Sequence, residues 1–142
     1  MGLFDKIFKQ VPEEDKLSKQ EAFAGIALAM AGADGSISQS EWDGIVNYIR
    51  RLRLYDNFSG PAFDKMFDKL FRILKNQGAS ALVSASVTGL PEDLKLTSFA
   101  CAVDIALADG VLEEEEKDII NQLAETLEIP EQTAISIIEV LI

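Results

Sequence analysis

The chain has 142 residues, 48% of them hydrophobic, which suits one globular domain and excludes a disordered chain. Its formal charge of −11 argues against unaided nucleic-acid binding, since such binding draws its affinity from neutralised phosphates. The absence of histidine removes Ser-His, Cys-His and His-metal chemistry together, and a single cysteine excludes an internal disulfide.

No apolar run reaches the roughly 18 residues that a membrane-spanning helix needs. Residues 1–10 are amphipathic, with Leu3, Phe4, Ile7 and Phe8 on one side and Asp5, Lys6 and Lys9 on the other. They are expected to pack back on the body of the protein; a membrane surface or a partner is the competing destination. Lys6 breaks a myristoylation pattern, no secretory signal is visible, and the reading is cytoplasmic. Pro12-Glu13-Glu14-Asp15 forms a polar hinge.

Ser18-Lys19-Gln20-Glu21 has the form of a capping box and opens the first helix. Phe23, Ile26, Ala27 and Met30 make one face, and Ala24, Leu28 and Ala31 make the other apolar too. A helix apolar all round belongs at the centre. The second helix, about 39–52, turns Trp42, Ile45, Ile49 and Leu52 inward. Arg50, Arg51 and Arg53 crowd its last turn, where cations oppose the dipole favourably; an anionic partner is the alternative use.

Ser59-Gly60-Pro61 starts the third helix, and Phe63, Met66, Phe67, Leu70, Phe71 and Leu74 make its core stripe up to a stop at Gly78. Residues 79–88 read as helix, since a strand there would have no partner. The fifth helix, about 91–108, carries Leu96, Phe99, Val103 and Leu107, with Asp104 within or beside that face. Cys101 among small apolar neighbours reads as a buried, inert thiol. Glu113-Glu114-Glu115-Glu116 starts the sixth helix, where acids suit the dipole. Ile119, Ile120, Leu123 and Leu127 point inward. Pro130-Glu131 opens a seventh, which sends Ile135, Ile138 and Leu141 into the core.

One stretch occurs twice. Ala31-Gly32-Ala33-Asp34-Gly35-Ser36-Ile37-Ser38-Gln39-Ser40-Glu41 returns as Ala106-Leu107-Ala108-Asp109-Gly110-Val111-Leu112-Glu113-Glu114-Glu115-Glu116. The register extends further: Ala27 falls on Ala102, Asp43 on Asp118 and Ile45 on Ile120. The expected fold is therefore all-α, a compact bundle of about seven helices built from a duplicated unit. The single domain, residues 1–142, holds one repeat at about 18–77 and another at about 91–142.

Each copy reads Ala-Asp-Gly-x-(Ile/Leu)-x-x-x-Glu. The glycine suits the left-handed backbone that stops a helix. Ser38-Gln39-Ser40-Glu41 is a capping box for the next helix, and Ile37 and Leu112 can plug the corner. The aspartate is the unusual choice, since a carboxylate at a helix C-terminus is unfavourable by roughly 0.3–1 kcal/mol. Free N–H groups of the next helix could offset that, and so could a divalent cation. The motif matches the back half of an EF-hand loop, but the front ligand positions would be Met30 and Gly32, or Ile105 and Leu107, none with a side-chain oxygen. A true EF-hand is thereby excluded. A cation would need pooled oxygens from Asp34, Glu41, Asp109 and Glu116, with Asp104 as a further ligand near Asp109 and Glu116. An all-oxygen set suits Ca2+ or Mg2+ better than Zn2+.

The doubled Ala-Asp-Gly-x-Ile-x-x-x-Glu on Ala-rich helices resembles the TerB family of tellurite-resistance proteins, a module also similar to the N-terminal region of some DnaJ-type co-chaperones. The likeness runs from about Leu17 to the end of the chain. It implies a helical cytoplasmic protein, peripheral to the inner membrane face, with acidic cation sites at Asp34, Glu41, Asp109 and Glu116. It also implies protein partners in a stress-response complex with membrane components. Ser38-Gln39-Ser40 departs from the acidic run of the second copy, which weakens the first site. The competing reading is a metal-free adaptor that holds a partner segment in a groove between the repeats. Without a nucleophile, histidine or phosphate loop, no enzyme and no organic cofactor are expected.

Overall fold

The computed structural model describes residues 16–108 and 110–142. Among these residues all regular structure is helical, in the order α1 (Lys19–Ala31), α2 (Gln39–Arg50), α3 (Gly60–Gln77), α4 (Ala79–Gly89), α5 (Lys95–Leu107), α6 (Glu114–Thr126) and α7 (Glu131–Leu141). Short 3-10 turns at Arg53–Tyr55 and Glu92–Leu94 follow α2 and precede α5. The amphipathic segment at residues 1–10 and Asp109 lie outside the described residues.

The helix ends follow from local chemistry. Ser18 Oγ accepts the Glu21 N–H at 3.2 Å while Glu21 Oε1 accepts the Ser18 N–H at 2.9 Å, the reciprocal box that the sequence predicts. Ser59 Oγ accepts from Ala62 N–H ahead of Pro61, and Gly78, at φ 95°, stops α3. Helix α6 closes differently. Glu128 takes φ 57°, and the N–H groups of Glu128 and Ile129 reach back to the carbonyls of Glu125 and Ala124 at 3.2 and 2.9 Å. That is a Schellman closure with glutamate where glycine is usual.

Helix α1 is the centre. Every residue from 22 to 30 is buried. It packs most extensively on α4, then on α5, and also meets α2, α3 and α6. The expected all-round apolar helix is thus surrounded on all sides. Five of those nine positions are Ala or Gly, so the neighbours come close. At the tightest place, Gly25 faces Ser86 of α4, and a Cβ on Gly25 would run into Ser86 Oγ before touching Leu70 or Leu82. The Ser86 hydroxyl is fully buried and, among the described residues, has no hydrogen-bond partner; the same holds for Ser98 on α5.

The other helices bury the expected stripes with four exceptions. Phe71 of α3 is 42% exposed, because the core takes Phe63, Met66, Phe67, Leu70 and Ile73 instead, and Phe71 lies at the edge of that stripe. Leu96 is 51% exposed in the first turn of α5, outside the buried set Ser98, Phe99, Ala102, Val103 and Ala106. Ile135 is exposed because α7 turns Ala134, Ile137, Ile138 and Leu141 inward, a stripe offset by one position from Ile135. Asp104 is exposed, so it lies beside the apolar face and not within it.

Replacing Gly25 by Ala tests the close crossing. Alanine favours a helix over glycine by about 0.5–1 kcal/mol, yet overpacking against Ser86 is expected to lower net stability by about 1–3 kcal/mol in urea denaturation. Adding Ser86→Ala removes the obstructing oxygen and is expected to restore part of that loss.

Candidate functional site at the Ala-Asp-Gly corners

Both corners are built from the same local parts. The chain leaves α1 through Gly35 at φ 92° and leaves α5 through Gly110 at φ 80°, and the helix that follows has its cap three positions later, at Ser38 or Glu113. Ile37 folds back under the first corner, where its side chain would lie 3.2 Å from a Cβ at Gly32, and Leu112 packs on the core in the second. The expected plugs are therefore in place.

The carboxylates have identifiable local roles. Asp34 Oδ1 accepts the Ser36 N–H at 3.0 Å and the Ser36 hydroxyl at 3.4 Å, so the acid closes its own turn. Glu41 Oε1 accepts the Ser38 N–H at 2.9 Å, and Ser38 Oγ accepts the Glu41 N–H at 3.2 Å. Glu116 Oε1 accepts the Glu113 N–H at 2.8 Å. Each of the three commits one oxygen to its own backbone. Asp109 is outside the described residues. Among the described residues, no group of three or more Cys, Asp or Glu side chains gathers where it could hold a cation.

Asp104 faces a different neighbourhood. It stands near Tyr48 and Cys101, where Tyr48 Oη donates to Cys101 Sγ at 3.0 Å. Cys101 is half-buried, not fully buried as its neighbours suggest. Burial pushes its thiol up; the Tyr48 hydroxyl lowers it, and the Asp104 charge raises it further. Arg51 lies over the Tyr48 ring at 6.0 Å and Arg50 over the Phe63 ring at 5.6 Å. These two arginines thus rest on aromatic faces, and no ion pair joins them to the acidic corners among the described residues.

The first corner also shapes a cleft that residue patterns alone do not reveal. Two adjoining depressions, of about 360 and 290 Å3, share Ile37 and Phe71 as walls. One runs under Gly32, Gly35 and Leu74; the other is bounded by Trp42 and Asp68. Trp42 packs edge-on against Phe71 at 5.6 Å and Phe67 at 5.5 Å. The exposure of Phe71 is the signal, and it depends on how α3 lies against the corner.

The family profile described as "Tellurite resistance protein TerB" matches residues 20–138. The chain belongs to the TerB family. No curated protein and no solved structure gives a match. The TerB domain accounts for nearly all of the described fold, from the first residues of α1 to the last turn of α7, and both corners lie inside it.

Two outcomes check these assignments. Ser38→Ala is expected to cost about 1 kcal/mol of unfolding free energy, and Asp34→Ala less, because losing its hydrogen bonds is offset by relief at the helix C-terminus; both losses should be equal with calcium and with chelator. The thiolate is the reactive form, so alkylation of Cys101 by iodoacetamide should rise only at pH above that for free cysteine. Tyr48→Phe, which removes the stabilising donor, should move the rise higher still.

Proposed function

We propose that this TerB domain is a non-enzymatic, metal-free docking module of a tellurite-resistance-type stress response, which binds an amphipathic segment of a partner protein. The single observation that carries this reading is the cleft at the first corner, where Phe71 stands exposed beside Ile37 and Trp42. A large aromatic at the rim of a shallow apolar cleft supplies the anchor contact that helix-in-groove recognition uses. Asp68 and Lys75 border the two depressions with opposite charges, and the −11 charge of the chain as a whole favours a partner with lysines or arginines flanking its apolar face.

The cleft lies between the first corner and α3, within the first half of the chain, whereas the sequence reading put a groove between the two halves. The acidic corners act in this reading as turn closers, which the hydrogen bonds of Asp34, Glu41 and Glu116 support. Nucleic acid is not a partner on this reading, given the net charge. No helix among the described residues is long and apolar enough to cross a membrane. On this reading membrane components are met through protein partners, and the cytoplasmic face is the proposed place of action.

Two measurements test the proposal together. Millimolar Ca2+ or Mg2+ is expected to leave the melting temperature unchanged in the wild type and in Asp109→Asn with Glu116→Gln. A rise in the wild type that the double variant abolishes would favour cation sites at the corners instead. A photo-crosslinker placed at position 71 is expected to capture a partner that one at Val140 does not. Rebuilt from purified components, that complex should weaken about tenfold or more with Phe71→Ser, as loss of a buried anchor implies. Equal binding by Phe71→Ser would refute the docking role of the cleft.

A further inference from the structure

The two halves of the chain differ in charge. Residues 1–90 hold eleven acidic and eleven basic side chains, so the whole formal charge of −11 lies in residues 91–142. The cleft of the first corner belongs to the neutral half. In the other half the cations are Lys95 and Lys117, and each is already paired, with Glu92 at 2.8 Å and with Glu114 at 3.3 Å. Every acid described there is exposed except Glu116, which is half-buried.

The placement works against the helices that carry it. Asp104, Glu125 and Glu139 stand in the last turns of α5, α6 and α7, and none of those turns has a basic residue. A carboxylate there faces the negative end of the helix dipole. In the first half, α2 and α3 end instead on Arg50 and Lys75. Stability alone favours the arrangement of α2 and α3. That of α5, α6 and α7 leaves three helix ends that a cation from outside would improve.

Helix α7 adds an apolar contact to this field. Glu131, Ile135, Glu139 and Ile142 are spaced by four, four and three residues, so they share one side of the helix. All four are exposed, beside the stripe through which Ala134, Ile138 and Leu141 meet the core, while Val140 points to another side. We infer that this strip is a docking surface for an amphipathic, lysine- or arginine-rich helix of a partner protein. The apolar residues of that helix seat on Ile135 and Ile142, and its cations meet Glu131 and Glu139. Charge selects the occupant. A second copy docked through the same strip, an anionic bilayer or a nucleic acid would each meet like charge. Among the described residues the carboxylates do not gather in threes, so the surface suits an extended polycation better than a single metal ion. The strip goes beyond the cleft reading, and neither depends on the other.

The test uses the full chain carrying Phe71→Ser, which silences the cleft. The probe is a fluorescent peptide of leucine and lysine, about 18 residues long and in helical order, with the same residues scrambled as control. Anisotropy is expected to show the ordered peptide binding about tenfold more tightly than the scrambled one. Adding Ile135→Ser should weaken it about tenfold, as loss of a buried anchor implies, and adding Glu131→Gln with Glu139→Gln about fivefold. Glu139→Gln alone should raise the melting temperature by roughly 1–3 °C, since it relieves the helix end. Equal affinity for the scrambled peptide, or for the added variants, would reduce the effect to bulk charge and overturn the docking surface. A fall in melting temperature would make Glu139 a residue of the fold and count against it equally. Binding in the wild type that Phe71→Ser abolishes would place the peptide in the cleft, sustaining that reading and overturning this one. A wild-type dimer in sedimentation that Ile135→Ser dissolves would make the strip a self-contact and overturn it too.

Discussion

The structure depends on one constraint, the burial of α1 over nine successive residues, 22 to 30. A helix whose residues 22 to 30 all leave water needs neighbours on every side. A helix so placed cannot carry large side chains at each position, because its neighbours would be held too far apart to close the core. Ala22, Ala24, Gly25, Ala27 and Ala29 resolve that conflict. They let α4 approach until Ser86 lies against the Gly25 backbone, while Phe23, Ile26, Leu28 and Met30 fill the wider spaces. The buried Ser86 hydroxyl, without a partner among the described residues, is the consequence of fitting a small side chain where even alanine is crowded on the facing helix.

A buried central helix also sets the problem that the corners answer. Its end must be released abruptly, because the next helix has to turn back over the same core. Gly35 supplies the positive φ, Ile37 fills the inside of the bend and Ser38 with Glu41 caps the following helix. Asp34 is then less anomalous than it looks in isolation. Its charge is unfavourable beside the α1 C-terminus, but its Oδ1 takes the Ser36 N–H that the turn would otherwise leave unpaired. Glu41 and Glu116, at the opposite polarity of the next helices, gain from the dipole as well as from their backbone bonds. Turn closure is thus a role that Asp34, Glu41 and Glu116 each fill at these corners.

Much of this could be read from the residues. Ser18, Ser38 and Ser59 mark helix starts because a hydroxyl cap is a local interaction, and Gly35, Gly78 and Gly110 mark ends because positive φ is a local demand. The all-round apolar first helix identifies the centre by composition alone. What remained hidden depends on distant packing. Phe71 and Ile137 both satisfy a helical period, yet only the arrangement of neighbouring helices exposes the first and covers the second. Glu128 has a left-handed backbone without the glycine that would announce it. The Tyr48–Cys101 contact joins residues 53 positions apart. The cleft was illegible for the same reason, since its walls come from a loop, α2 and α3, and no one stretch carries its signature.

The energetics of the cleft favour an exchangeable occupant over a permanent one. Burying one phenylalanine contributes about 1.5–3 kcal/mol, so a short segment anchored by one or two such residues binds in the millimolar range on its own, near −4 kcal/mol. A partner that fills both adjoining depressions and pairs its cations with the acidic surface would bury more and be attracted from further away. That difference sets a threshold: chance apolar segments bind too weakly to stay, while a complementary partner would be retained. The exposed Phe71 edge, a liability for nonspecific association on its own, would be covered by such a partner.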